Sequence, residues 1–158
     1  MKTKRILALV LAIVTVLLSF ASCGKVAEEG NVTVVIEGRD GEFTVYKTYL
    51  ENVENKAEGA VGVLENLRDR ETNPLSVNIG SGSYGAFLNS IGSLEPNPEN
   101  EYIAIYTNEE NDFAVPSEYM PTVSTASYDG MTLTYSGVGL GSMTVQDGTV
   151  LLFRIEGF

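Results

Sequence analysis

The chain has 158 residues, with 10 Lys and Arg against 21 Asp and Glu, no His, no Trp and a single Cys. These counts exclude an intrachain disulfide, a Cys/His zinc site and any nucleophile system built on His. A net charge of −11 opposes nucleic-acid binding, which needs a basic face. The hydrophobic fraction of 44% and charged fraction of 20% are those of a folded globule.

Lys2, Lys4 and Arg5 form a positive start, and the uncharged run Ile6 to Ser22 follows. This is the plan of a secretory signal. The run is also at the lower limit for spanning a bilayer, so an uncleaved single-pass anchor is the competing reading. Ala21 and Ser22 lead directly into Cys23, and a lone Cys at that point decides for a bacterial lipoprotein, cut before Cys23 and acylated there. Phe20 departs from the Leu more usual in such a signal. The expected organisation is a signal peptide over 1–22, a lipidated Cys23 with a short tether over 23–30, and one domain over 31–158. Loss of Lys2, Lys4 and Arg5 leaves 7 basic against 21 acidic residues, a charge of −14. Several acyl chains, palmitate among them, hold such a protein on the extracytoplasmic face of the membrane, because an acidic domain does not itself adhere to anionic lipid.

Val32, Val34 and Ile36 alternate with Thr33, Val35 and Glu37, which predicts a strand. The turn cluster Gly38–Gly41 and the run Phe43, Val45, Tyr49 make it a hairpin. Asn55 and Glu58 have the spacing of a capping box. Ala57, Ala60, Val61, Leu64 and Leu67 then share one helical stripe, which predicts a helix ending near Arg70, before Asn73-Pro74. Gly59 and Gly62 within it suggest close packing on a sheet. From Leu75 to the end the pattern is strand-like, with Tyr102–Thr107, Thr132–Tyr135 and Val150–Ile155 the clearest runs. Strands, one early helix and more strands give an α+β fold, a β-grasp-like mixed sheet with one main helix packed on it.

Gly137-Val138-Gly139-Leu140-Gly141 precedes no helix and lacks the Lys of a phosphate loop, so it reads as a flexible or closely approached loop. The acidic stretches Glu95–Glu101 and Glu109–Asp112 offer oxygens to calcium but lack EF-hand spacing, and read as solvated loops. Carboxylate pairs for glycoside chemistry arise by accident among 21 acids, and no Lys sits in a Ser–Lys motif. No enzyme, no metal site and no resident cofactor are expected. Tyr102 and Tyr106 share one strand face and read as packing; Tyr84, between Gly82 and Gly85, suits binding and packing equally.

The run Gly82-Ser83-Tyr84-Gly85-Ala86-Phe87-Leu88-Asn89-Ser90-Ile91-Gly92, the strand Tyr102–Asn108 and the turn and strand Gln146–Ile155 together resemble the transcobalamin-like C-terminal domain family. That domain is the small β-domain of the intrinsic factor and transcobalamin carriers, and bacterial versions occur in cell-surface proteins and lipoproteins. The resemblance covers most of Asn31–Phe158. Tyr102-Ile103 stands where the family usually has Tyr-Trp, and the loop from Glu109 to Tyr128 is longer and more acidic. The resemblance implies a non-catalytic ligand-binding domain with a corrinoid such as cobalamin as ligand, contacted by Ser83, Tyr84, Phe87, Asn108 and Gly139. It also implies an envelope transporter or a helical-barrel protein as partner, since no such barrel is encoded here. The alternative is an envelope protein-interaction module for adhesion or transporter docking.

Overall fold

A computed structural model describes residues 25–158. The expected signal segment and Cys23 lie outside the described residues. Strands β1 (Asn31–Glu37) and β2 (Phe43–Tyr49) form the expected antiparallel hairpin, with Val34 opposite Tyr46. Its turn closes through Gly38 and Glu42, and Gly41 takes a φ of 81°.

Helix α1 runs Ala60–Asp69, shorter than the stripe predicts. The expected capping box does not form: Asn55 donates its amide to Glu65 (2.8 Å), and Lys56–Glu58 make a separate 3₁₀ turn. Gly59, at φ 55°, is the residue before the helix. A Cβ there would lie 2.6 Å from the Met143 carbonyl oxygen, and one on Gly62 would collide with the Asn55 carbonyl. The two glycines thus admit neighbouring backbone rather than the sheet. Val61, Val63, Leu64 and Leu67 are buried in the core that holds Val32, Val34, Ile36, Leu151 and Phe153.

Six strands form one mixed sheet in the order β2-β1-β8-β5-β7-β6, where β5 is Glu101–Thr107, β6 Thr125–Tyr128, β7 Met131–Tyr135 and β8 Thr149–Gly157. Strand β8 pairs parallel with β1 and antiparallel with β5. Strands β3 (Val77–Gly82) and β4 (Gly85–Ile91) make a separate two-stranded sheet. The architecture is therefore α+β, strand-rich, with one α-helix among the described residues. No described helix is long and apolar enough to cross a membrane.

The large sheet curls away from the helix. On its inner face Val35, Ala104, Tyr106, Leu133 and Leu152 form a second core. The curl brings the two edges together: Phe43 of β2 meets Tyr128 of β6 edge-to-face at 5.5 Å. At one end of this face Arg154 lies over the Tyr106 ring, 4.4 Å from its centroid, and donates to the Tyr106 hydroxyl (2.7 Å) and to Glu156 (2.6 Å). Tyr106 and Tyr102 both donate to Glu156. Burial pushes the Tyr106 hydroxyl up to about 12 and raises that of Tyr102 as well. Burial opposes the charge on Glu156, yet the hydrogen bonds from Tyr106 and Arg154 outweigh it and hold the carboxyl below its ordinary range. Tyr106 is thus a buried packing residue, while the half-buried Tyr102 stacks on Phe158 at 5.3 Å and also reaches the groove between the β3–β4 sheet and β5.

Three expectations need correction. The tether over 23–30 is not free from Lys25 onward: Val26 is 2% exposed and bridges Val145 in parallel, and the Lys25 amine donates to the Gly141 carbonyl. The loop acids Glu109 and Asp112 are not solvated, at 5% and 3% exposure. Glu109 accepts from Thr149 and Gln146, and Asp112 accepts from the Thr144 amide (2.6 Å) and hydroxyl (3.3 Å). Their carboxyl groups tie the 108–112 turn to the segment that leads into β8 and to its first residue. The strand-like pattern from Leu75 onward is also broken at Leu140–Ser142, which make a 3₁₀ turn, and after it Val145 pairs with Val26 in an isolated bridge rather than in a strand.

Asp112→Ala leaves the Thr144 donors without an acceptor and should cost about 2 kcal/mol, whereas Glu110→Ala, on an exposed neighbour, should change stability little; urea unfolding of both variants measures this. The acid limb of stability follows from two carboxyls. The Arg39 guanidinium and the Asn97 amide hold Glu101 down at about 2, and Glu156 is also depressed. Both lie below the unfolded value of about 4.3, so their stabilisation is present above that pH and is lost as pH falls through the folded values. The melting temperature should decline from about pH 4.5 toward pH 2, and Glu101→Gln should flatten that decline and lower the melting temperature at pH 7. An unchanged acid slope in the variant would contradict this.

Candidate functional site

A concavity lies where the β3–β4 sheet stands away from β5. Both hairpin strands are bonded to each other (Val77 opposite Ile91, Gly82 opposite Gly85, with a bulge between Asn78 and Ile79) and to no strand of the large sheet. The space between is an open groove of about 520 Å³, within the range of small-molecule sites.

Its walls follow from strand alternation. On β4, Ala86 and Leu88 point inward to the helix-side core, and on β5 Ile103 and Ile105 line the facing wall, with Tyr102 at its edge. Leu140, 2% exposed, closes one end beside Gly139. Pro96 and Pro98 border the other end and stiffen it. Phe87 lines the groove yet remains half exposed, at 49%. A Cβ on Gly80 would lie 2.7 Å from the end of the Phe87 ring, so glycine there lets the ring fold across the hairpin.

The polar groups of the groove are few. Glu101 is engaged by Arg39 and the Asn97 amide, and Asn89 donates to Asn78 (3.1 Å). The lining is thus largely aliphatic with an amide and a neutralised carboxylate at the rim, an arrangement that holds an apolar surface and offers no activated nucleophile or base.

Of the five residues expected to contact a ligand, the structure brings Phe87 and Gly139 into this groove. Ser83 and Tyr84 form the exposed tip of the hairpin, between Gly82 and Gly85, and Tyr84 makes no packing contact at 103% exposure. Asn108 does not belong to the site. Its amide donates to the Gly148 carbonyl (3.0 Å) and its oxygen accepts from the Val150 amide (2.8 Å), which consumes the side chain in supporting the turn before β8. Ile103, Ile105, Leu140, Pro96 and Pro98 were not expected. The alternation of Tyr102 to Thr107 was the available signal for the two isoleucines, but choosing the face required knowing where the hairpin lies.

The glycine run divides. Gly137 allows close backbone approach, since a Cβ there would lie 2.7 Å from Ala114 Cα, whereas Gly139 and Gly141 border open space. Leu140–Ser142 is a three-residue 3₁₀ turn rather than the start of an α-helix. Among the described residues no three His, Cys, Asp or Glu side chains stand together to hold a metal ion.

No family model matches the chain, and no curated protein matches it. Among solved structures, the crystal structure of a protein from Ruminococcus gnavus, described as a candidate metal-binding protein, superposes with a TM-score of 0.51. The two are 16% identical, and the match covers 82% of this chain and 99% of the other. At that identity the likeness is one of fold alone.

Proposed function

We propose that this chain is a non-catalytic ligand-binding domain, anchored through Cys23 to the extracytoplasmic face of a bacterial membrane, and that its ligand occupies the groove between the β3–β4 hairpin and β5. The observation that carries this is the groove itself: an open, largely aliphatic cleft between two sheets that share no strand pairing. Glu101, the carboxylate in its lining, is already held by Arg39, which favours binding over catalysis.

A corrinoid is the proposed ligand. The macrocycle offers apolar faces to Ile103, Ile105 and Leu88, and an amide-rich rim to neutral groups such as Asn89. A groove of this size covers one edge only, leaving the rest of a corrinoid to Tyr84 on the hairpin tip and to a helical-barrel or transporter partner. The transcobalamin-like resemblance at Tyr84–Gly92 points the same way. The β-grasp reading of the fold is supported by the terminal strand lying parallel beside β1 of the first hairpin, with the helix across one face. A metal-ion ligand, suggested by the name of the Ruminococcus gnavus protein, finds no clustered donor set among the described residues.

Calorimetric titration of Lys25–Phe158, which retains Val26 in the core, with cobalamin and cobinamide tests the proposal. Saturable binding at micromolar concentration or tighter is expected. Phe87→Ala should weaken it about tenfold, the equivalent of about 1.4 kcal/mol, through lost apolar contact. Asn108→Ala should lower stability without changing affinity. No saturable signal up to millimolar ligand would overturn corrinoid binding, and the docking alternative, through the unpaired edge of β2 with its exposed Tyr49, would take its place.

A further inference from the structure

The groove and the start of the folded chain meet at one short segment. Leu140 and Gly139 close an end of the groove. The next residue, Gly141, accepts from the Lys25 amine, and the Lys25 carbonyl accepts from the Val145 amide (2.8 Å). Val26 is locked in the core beside it. The chain is therefore fixed from Lys25 onward, and the distance from Cys23 to that fixed point is two residues, a reach of about 7 Å. The β1–β2 turn, by contrast, lies at the opposite end of β1, seven residues or about 23 Å farther along the strand direction.

We infer that the Gly139–Leu140 end of the groove is held at the bilayer surface, so that the ligand is exchanged there with a membrane-embedded partner rather than with a soluble carrier. The inference rests on the lipid anchor proposed above. Charge supports the same posture. With −14 charges from Cys23 onward, an anionic leaflet repels the body of the domain, and a tether this short converts repulsion into an upright stance with the anchored end down. A long tether would let the groove point anywhere.

The composition makes the test clean, because the chain has no Trp and Cys23 is its single thiol. Cys23–Phe158 is coupled through that thiol to a maleimide lipid in vesicles of phosphatidylcholine and phosphatidylglycerol carrying nitroxide headgroups. A single Trp is placed at Gly139→Trp, where a side chain meets open space, or at Ser142→Trp as a second reporter of the same end. Glu42→Trp, on the exposed far turn, is the comparison. Quenching at Gly139 and Ser142 should exceed that at Glu42 at least threefold, and a twelve-residue Gly/Ser spacer after Gly24 should abolish the difference. Equal quenching at the two ends, or stronger quenching at Glu42, would overturn the inference. Chemical coupling sets the anchor independently of the cell, so this readout judges geometry alone. The mass of the mature chain from bacterial envelopes judges the anchor separately: an acylated Cys23 start supports it, and an unacylated chain overturns the inference by removing the tether.

Discussion

The insertion of β8 between β1 and β5 is the constraint on which the rest of the structure depends. Its successive residues feed both sides of the sheet: Leu151 and Phe153 enter the core beneath the helix, while Val150 and Leu152 enter the core inside the curl. Arg154 and Glu156 continue the second series and organise the tyrosines at its end. A chain folded up to Gly148 would have a first hairpin and a fifth strand with nothing between them. The buried acids belong to the same constraint. Glu109 binds Thr149 at the first residue of β8 and Asp112 binds Thr144 shortly before it, so charge is spent on fixing where the last strand enters.

The groove follows from what the sheet does not accommodate. Helix α1 covers only part of one face, and the β3–β4 hairpin covers the remainder without joining the ladder. Side chains alone hold the hairpin down, through Val77, Ile79, Ala86 and Leu88. Gly92, at φ 56°, sets its base directly against Ile36. An element attached at its base and by one apolar face leaves a cleft along its free side, and that cleft is the candidate groove.

The sequence made some of this legible and concealed the rest for identifiable reasons. Alternation in Val32–Glu37 and the Gly38–Gly41 turn announced the first hairpin, because both signals are local. The apolar stripe from Ala57 to Leu67 announced the helix but, with Asn55 and Glu58, placed its start too early: the helix begins at Ala60, and the Asn55 side chain bonds Glu65, ten residues on. The hairpin and the loop that carry Phe87 and Gly139 were legible, and both residues line the groove; the structural role of Asn108 was not, since its partners Gly148 and Val150 are about forty residues away. The burial of Glu109 and Asp112 was hidden for the same reason. Val26, in the short apolar pair Val26-Ala27 between Lys25 and two glutamates, has no period to betray it, and the Val145 bridge and the bond from its amide to the Lys56 carbonyl make it part of the fold.

The parallel pairing of β1 and β8 also governs how the domain answers to pulling. The chain enters β1 at one end of the sheet and leaves β8 at the other, with Val32 opposite Thr149 and Ile36 opposite Phe153. Tension applied between the start of β1 and the end of β8 therefore runs along the two strands in opposite directions. Every hydrogen bond between them is loaded at once, in shear, rather than peeled open one after another. Force applied across the two ends of the domain therefore meets its best-buried pair of strands.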